Sequence, residues 1–537
     1  MGKGNKGKNK ASSGAGEQKS LRSAVETAVN EAVKIQDSAS DLGAAQAAAA
    51  LEAAAQRYRE ALTRLPGHAE ALYNLATCLS EQADLKANTS EKVVLLRESR
   101  ATLQSVIAAD TSGRGATTAL AHHALGNVIC ALVEAFRDHC PTTAAAAAAT
   151  VPCADCCVPC PSAAECKQEL SQACRHLEEA VSITKRLQNQ SGEIEVILVH
   201  LGDAFASMMH IVMDGASAER SQGSHGPPSD AVQEALALCS DACRKYSEAL
   251  STATSSGGSD TDILRLKAGT VVNFLDWALP EAPPNQQPPS GALPCFGFSA
   301  EELLATGEQA VGVLLGLDVE NVGGLLAKGD LCSRLRARVS MLSAPGAGVG
   351  MQGMQEEGSH REESLAWFAR AVQRFPQDSE ALTAAGEGLL EYGRRSMTVY
   401  REAAFSGHGG LGASSFSAPH LEGMRMSAVS RLQEAGSLLS RASSIDTPDT
   451  DSPYNAACAF ALSGDAASCF QALSEFCRRL IATTAVAAPG GVSSSKRDAA
   501  RWSLREAGGD ADLEGVRGTE WFVGLLSSTD ATLVGGA

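Results

Sequence analysis

The chain has 537 residues, with 62 acidic against 45 basic side chains and a net charge of −17. That balance speaks against a phosphate-binding surface, so no nucleic-acid partner is expected. Aromatic residues make up only 4% of the chain, which suits an Ala/Leu helical array better than a globular enzyme core.

Residues 1–22 carry Lys3, Lys6, Lys8, Lys10, Lys19 and Arg22 against Glu17 alone. This Gly-rich basic tail has little apolar surface to bury and is expected to be disordered. It has charge but no apolar core, so it does not read as a secretory signal. Gly2 invites a myristoylation reading, but Lys6 stands where that signal needs Ser or Thr. No run of about 18 apolar residues is evident, so no membrane span is expected. The expectation is a cytoplasmic protein, with the nucleus as the other compartment, whose 16 cysteines stay reduced.

The first short helix is expected over 21–33, followed by a long Ala-rich one over 44–64. In the second, Ala54, Tyr58 and Ala61 share one face by their spacing of four and three. Pro66-Gly67 ends it. The next run places Leu72, Leu75, Ala76 and Leu79 on one face, and a turn this short makes the two helices antiparallel. The two patterns then alternate along the chain. The first recurs as Ser99/Leu103/Val106, Ala173/Leu177/Ala180, Ala242/Tyr246/Ala249, Phe368/Ala371/Pro376 and Ala435/Leu439/Ala442. The second recurs around Leu125-Gly126, Leu201-Gly202, Gly329 and Gly386, and ends at Tyr454, Ala457, Cys458 and Ala461.

Breaks rich in Gly, Ser, Pro and Ala fall at about 140–165, 215–229, 279–294, 343–359 and 407–419, with another near 487–495. They read as long, flexible loops inside repeats. The largest holds Cys153, Cys156, Cys157 and Cys160, two Cys-x-x-Cys pairs at zinc-like local spacing. The pairs abut instead of standing a dozen residues apart, so no metal is assigned. Gly407 to Gly412 spells G-x-G-x-x-G but has no strand before it. His122-His123 reads as a structural pair on a helix. No nucleophile–base set, phosphate loop or carboxylate pair is present, so neither an enzyme nor a cofactor is expected.

The alternating patterns resemble the tetratricopeptide repeat, a helical hairpin of about 34 residues. The resemblance covers most of 51–480 and assigns the Gly-bearing helices as helix A and the others as helix B. It implies an all-α, right-handed superhelical solenoid of antiparallel helix pairs, with seven or eight units over 23–480. The stretch DADLEGVRGTEWFVGLL resembles the segment that closes many such arrays. Trp521, Phe522, Leu525 and Leu526 would then cover the last repeat, within a loop-plus-cap region at 481–537. Arrays of this kind bind proteins in a concave groove lined by helix A. The positions implied here include Glu70, Tyr73, Thr77, Glu81, His123, Asn127, Asp203, Asp330 and Glu387. The carboxylate clamp for chaperone C-termini is not matched, because Leu120 and Ala124 stand where basic residues belong. The expected role is a scaffold or adaptor that takes a basic peptide or protein segment into an acidic groove. The alternatives are an escort for a basic client, such as a ribosomal protein or histone, and a metal-dependent regulator using the cysteine loop. Oligomeric state is left open.

Overall fold

A computed structural model describes residues 11–86, 88–110, 115–139, 161–187, 191–220, 229–253, 260–278, 300–318, 321–331, 351–406, 418–446, 449–485 and 494–535. Among these residues there is no strand. The chain divides into two compact units, 1–270 and 271–537.

Unit 1 holds α1 (Ala11–Ala39), α2 (Ala44–Arg64), α3 (Ala69–Asp84), α4 (Thr89–Ala109), α5 (Ala116–His139), α6 (Ala163–Leu187), α7 (Ser191–Arg220) and α8 (Ser229–Ala253). Helix α9 (Asp260–Ala278) lies across the division. Unit 2 holds α10 (Ala300–Leu317), α11 (Val322–Asp330), α12 (Met351–Arg374), α13 (Ser379–Ser406), α14 (Ala418–Ile445), α15 (Asp451–Ser463) and α16 (Ala466–Ala485). It ends in α17 (Ser494–Gly509), a short 3₁₀ turn (Ala511–Leu513), α18 (Glu514–Arg517) and α19 (Glu520–Gly535).

Local chemistry sets the boundaries. Pro66-Gly67 separates α2 from α3, and the His68 ring accepts from the Ala71 amide (3.2 Å) to start α3. Asn88 caps α4 through Ser90 N (2.9 Å), and Asn321 caps α11 through Gly324 N (2.9 Å). At α6, Ser162 accepts from Glu165 N (3.2 Å) while the Glu165 carboxylate accepts from Ser162 N (2.7 Å), a reciprocal capping box. Helix α15 stops at Gly464, whose φ of 83° is a left-handed conformation that glycine adopts without strain.

Successive helices pack together in pairs throughout unit 1, and α1, α3, α5 and α7 also touch one another in sequence. Helices α11, α13 and α15 do the same in unit 2. Within each unit the helices therefore alternate between an A layer (α1, α3, α5 and α7; α11, α13 and α15) and a B layer (α2, α4, α6 and α8; α12, α14 and α16). One contact recurs at the centre of the hairpins. A Cβ placed on Gly126 would lie 2.6 Å from Leu177 Cγ, one on Gly202 2.5 Å from Tyr246 Cε1, and one on Gly386 2.6 Å from Leu439 Cγ. Gly329 faces Phe368 still more closely. Each glycine of the repeated Leu-Gly pattern is thus the hole that receives the large residue of its helix B. The pair α3/α4 uses a variant. Ala76 replaces glycine, and the buried Ser99 hydroxyl donates to the Ala76 carbonyl at 2.7 Å.

The helices differ from expectation in three ways. Helix α1 runs over Ala11–Ala39 instead of 21–33, because Val25, Val29, Ala32 and Ala39 bury one stripe against α2 and α3. Helix α17 was not anticipated. Its Ala500, Leu504 and Ala507 repeat the helix-B spacing and join the terminal core. Helices α7 and α12 also extend into stretches read as breaks, to Arg220 and from Met351.

A fourth difference concerns hydropathy. Ala116–Arg137 of α5 and Glu193–Ser217 of α7 are long and apolar enough, by length and composition, to cross a membrane. Half of each window is buried inside the protein. Each is an A helix packed on both sides by B helices, and that packing accounts for the apolar content. Both carry polar groups along one face, His123 and Asn127 on α5 and His200 and Asp203 on α7.

The closing segment packs as a lid on the last hairpin. Leu513, Val516 and Phe522 are buried with Phe476, Cys477 and Leu480, and Trp521, Leu525 and Leu526 pack at the margin. Trp521 meets Phe470 edge-on with centroids 5.3 Å apart. The acidic turn is tied back to the A layer: the Tyr454 hydroxyl of α15 donates to Asp510, and Arg394 of α13 pairs with Asp512.

Gly202→Ala should destabilise the protein by about 1–3 kcal/mol through overpacking against Tyr246. Gly215→Ala lies in the same helix with no atom within 4 Å of the added Cβ, and should stabilise by up to about 1 kcal/mol. Urea titrations of the two variants give opposite shifts if the hole is the constraint. Trp521→Ala combined with Phe522→Ala should lower amide protection first in α15 and α16, since a buried aromatic contributes about 3–5 kcal/mol. Hydrogen exchange in 451–485 reads this directly, and unchanged protection there would remove the lid assignment.

Candidate functional site

The residue that follows each small core position is polar. Those residues are Thr77, Asn127, Asp203, Asp330 and Glu387, and all five are half-buried on the A layer. In each layer the helices are joined to the next of their own kind, but by different chemistry.

On the A layer of unit 1, Gln36 of α1 donates to both carboxylate oxygens of Glu81 on α3 at 3.0 Å. The same amide lies 3.5 Å from Thr77, and the Tyr58 hydroxyl donates to its oxygen at 2.9 Å. On α5, His123 Nε2 stands 2.7 Å from His200 Nδ1 of α7, with Asn127 Nδ2 at 3.3 and 3.1 Å from the two rings. Asp203 of α7 accepts from the Tyr246 hydroxyl at 2.8 Å. On the A layer of unit 2, Asn455 of α15 donates to Glu387 of α13 at 3.0 Å, and Thr383 meets Ser452 at 3.2 Å.

On the B layer the links are ionic. Arg59 of α2 pairs with Glu98 of α4 (2.8 Å), Arg100 of α4 with Glu169 of α6 (2.9 Å), and Lys167 of α6 with Glu234 of α8. In unit 2, Arg431 of α14 pairs with Glu362 of α12 (2.6 Å). Each of these pairs cancels its own charge. A carboxylate held by an amide or a hydroxyl keeps its charge, so Glu81 and Asp203 leave negative potential on the A layer of unit 1. The A layer of unit 1 does include one cationic link, Arg137 to Asp214 (3.6 Å), near the C-terminal ends of α5 and α7.

Burial shifts these groups in a consistent direction. It raises the Asp203 carboxyl, against the opposing pull of Tyr246 and His200. It also raises Glu81, against the Gln36 amide. Burial drives His123 down to about 4, helped by His200, and lowers His200 itself. The neighbouring His122 pairs with His176 of α6 at 2.9 Å between Nδ1 atoms. Burial lowers both of these as well, His176 to about 4, with His122, Arg100 and Arg175 adding to the shift. All four rings are therefore neutral near pH 7.

The remaining expected positions fall as follows. Glu70 is exposed in the first turn of α3, where its charge suits the helix N-terminus. Tyr73 packs half-buried against the α3–α5 core, and burial raises its hydroxyl pKa. Asp330 ends α11. Cys153, Cys156, Cys157 and Cys160 lie outside the described residues, as does the G-x-G-x-x-G run. The described cysteines are free thiols, and burial pushes Cys78 up to about 11, which keeps it protonated. One further cluster is Cys458, Asp510 and Asp512, whose ligand atoms lie within 4.8 Å of one another. Its cation is already supplied by Arg394, and Tyr454 and the Asp512 amide occupy Asp510. It holds the lid in place.

Sequence reading missed Gln36, His176 and His200, which complete the A-layer contacts. His200 precedes Leu201-Gly202 directly, so the repeat register placed it beside His123 had the pairing been sought.

A histidine with a folded pKa below its unfolded value of about 6.5 binds fewer protons when folded, so stability rises with pH across the gap. The contribution is present above about 6.5 and is lost as pH falls towards 4. Asp203 acts with the opposite sign and offsets part of the loss. Urea midpoints followed by circular dichroism should fall across this window in the wild-type chain. The slope should shrink when His122, His123, His176 and His200 are all changed to Asn.

No family model matches the chain, and no curated protein matches it in sequence. Solved structures similar to it include a circular tandem repeat protein with novel repeat topology, at 12% identity over 96% of this chain and 98% of that one (TM-score 0.28). Yeast Tom70 aligns at 11% identity over 97% and 93% (TM-score 0.20). Human IFIT1, as a dimer with m7Gppp-AAAA, aligns at 12% identity over 85% and 94% (TM-score 0.23). Values this low transfer no site and no partner; the chain's own packing shows an all-helical array of hairpins closed by glycine-to-large-residue contacts, the arrangement that the resemblance to the tetratricopeptide repeat implies.

Proposed function

We propose that the chain is a non-catalytic protein-interaction scaffold whose A layer receives a Lys/Arg-rich segment of another protein. The observation that carries this reading is the asymmetry between the layers. The ties between neighbouring B helices are Arg or Lys to carboxylate pairs, whereas Glu81 and Asp203 of the A layer in unit 1 accept from the neutral donors Gln36 and Tyr246. A surface of fixed negative charge draws a cationic chain into encounter and sets its register. Fixing these carboxylates with neutral hydrogen bonds positions them without discharging them. A basic client in need of escort is the narrower form of the same reading.

The test uses a Lys/Arg-rich peptide and an acidic peptide of equal length. The basic peptide should bind and the acidic one should not, with affinity falling as salt rises, because charges beyond about 8 Å are screened at physiological ionic strength. Glu81→Gln with Asp203→Asn leaves one acceptor oxygen towards Gln36 and one towards Tyr246 while removing two charges, and should slow association several-fold with little change in dissociation. Glu98→Gln on the B layer should leave association unchanged. Binding indifferent to salt and to these substitutions would sink the acidic-surface reading.

A further inference from the structure

We propose that His123, His200 and Asn127 form a binding site for a borderline divalent transition-metal ion such as Zn²⁺ on the A layer of unit 1. The three nitrogen atoms stand 2.7, 3.1 and 3.3 Å apart. One face of an octahedral site with metal–nitrogen bonds of about 2.1 Å has edges of about 3.0 Å, and a tetrahedral site edges of about 3.4 Å. The triangle already has the size of an octahedral face. Two imidazoles favour Zn²⁺, Cu²⁺ or Ni²⁺ over Mg²⁺ or Ca²⁺. Asn127 supplies its carbonyl oxygen after a half-turn of its amide, which exchanges Oδ1 for the nitrogen.

The backbone places these donors side by side on adjacent A helices, so only side-chain rotations are needed to converge them. His123 and Asn127 are four residues apart and share one face of α5, while His200 projects from the adjacent A helix. The two rings lie 5.0 Å apart between centroids and 31° from coplanar, joined head to head. Swinging both outward turns their lone pairs towards a common point on the solvent side. All three residues are half-buried, so coordination positions remain open to water.

The local charge separates this site from two similar ones. Asp203 lies one turn beyond His200 and acts on it electrostatically, which favours a bound cation. The His122–His176 pair lies within reach of Arg100 and Arg175, which oppose one. The Cys458 cluster already holds a guanidinium.

The experiment uses the full chain with Cys153, Cys156, Cys157 and Cys160 changed to Ser, titrated calorimetrically with Zn²⁺. One saturable ion per chain is expected. Binding should be lost in His123→Gln and in His200→Gln, retained in His176→Gln, and tightened in Asn127→Asp, which adds an anionic oxygen. Circular dichroism identical across the variants separates loss of the site from loss of the fold. Co²⁺ in place of Zn²⁺ should show visible d–d bands without a thiolate charge-transfer band. Absence of saturable binding, equal binding in the His123→Gln/His200→Gln double variant, or a thiolate band would overturn the proposal. None of these outcomes bears on the charge test for peptide binding, so the two readings stand or fall separately.

Discussion

Everything in this chain depends on how closely an A helix can approach its B helix. A side chain on Gly126, Gly202 or Gly386 would overlap the partner residue by about an ångström relative to ordinary contact, so a hydrogen is the only substituent that fits. The large residue that fills the space differs from hairpin to hairpin. Leu177, Tyr246, Phe368 and Leu439 each do so, which shows that the hole is the invariant and the knob is adjustable. Where the hole is partly filled, as at Ala76, a hydrogen bond from Ser99 takes over part of the joining. Because the contact lies inside each hairpin, the array tolerates long insertions between helices without disturbing its packing.

That close approach also fixes what the surface can do. Once the glycine faces the B helix, the next residue falls at the margin of that contact, where it is polar and half-buried in α3, α5, α7, α11 and α13. A single local constraint thus sets out a row of polar positions on the A layer at the spacing of the repeat. Their chemistry varies along the row, from the hydrogen-bonded carboxylate and amide of α1 and α3 to the imidazole cluster of α5 and α7. The scaffold is regular and its surface is not, which is how a repeat protein acquires a distinct site at each step.

How much was legible in the sequence follows the same division. The Leu-Gly copies, the helix-B spacings and the Trp521-Phe522 closure are short-range patterns, and the structure shows each as a packing contact. The pairings across the A layer are not short-range. His123 and His200 lie 77 residues apart, and His122 and His176 54, so no local window contains both members. The function of the Asp510-x-Asp512 turn was hidden for the same reason, since Arg394 stands 118 residues away from Asp512. The apolar character of α5 and α7 was underestimated because polar residues at every turn interrupt the runs, although the faces between them are continuous. Helix α17 went unseen because its three buried residues, Ala500, Leu504 and Ala507, are two alanines and a leucine in a chain where alanine is common.

The ladder of ion pairs on the B layer has a mechanical side. Exposed ion pairs weaken as salt rises, whereas hydrogen bonds between neutral donors and carboxylates on the opposite layer respond far less. Within unit 1, then, the two layers are laminated from materials with different responses to the same solvent. Raising the ionic strength relaxes the lateral ties of one layer and leaves those of the other in place. Such a strip loosens along one side before the other, while the apolar contacts inside each hairpin stay closed.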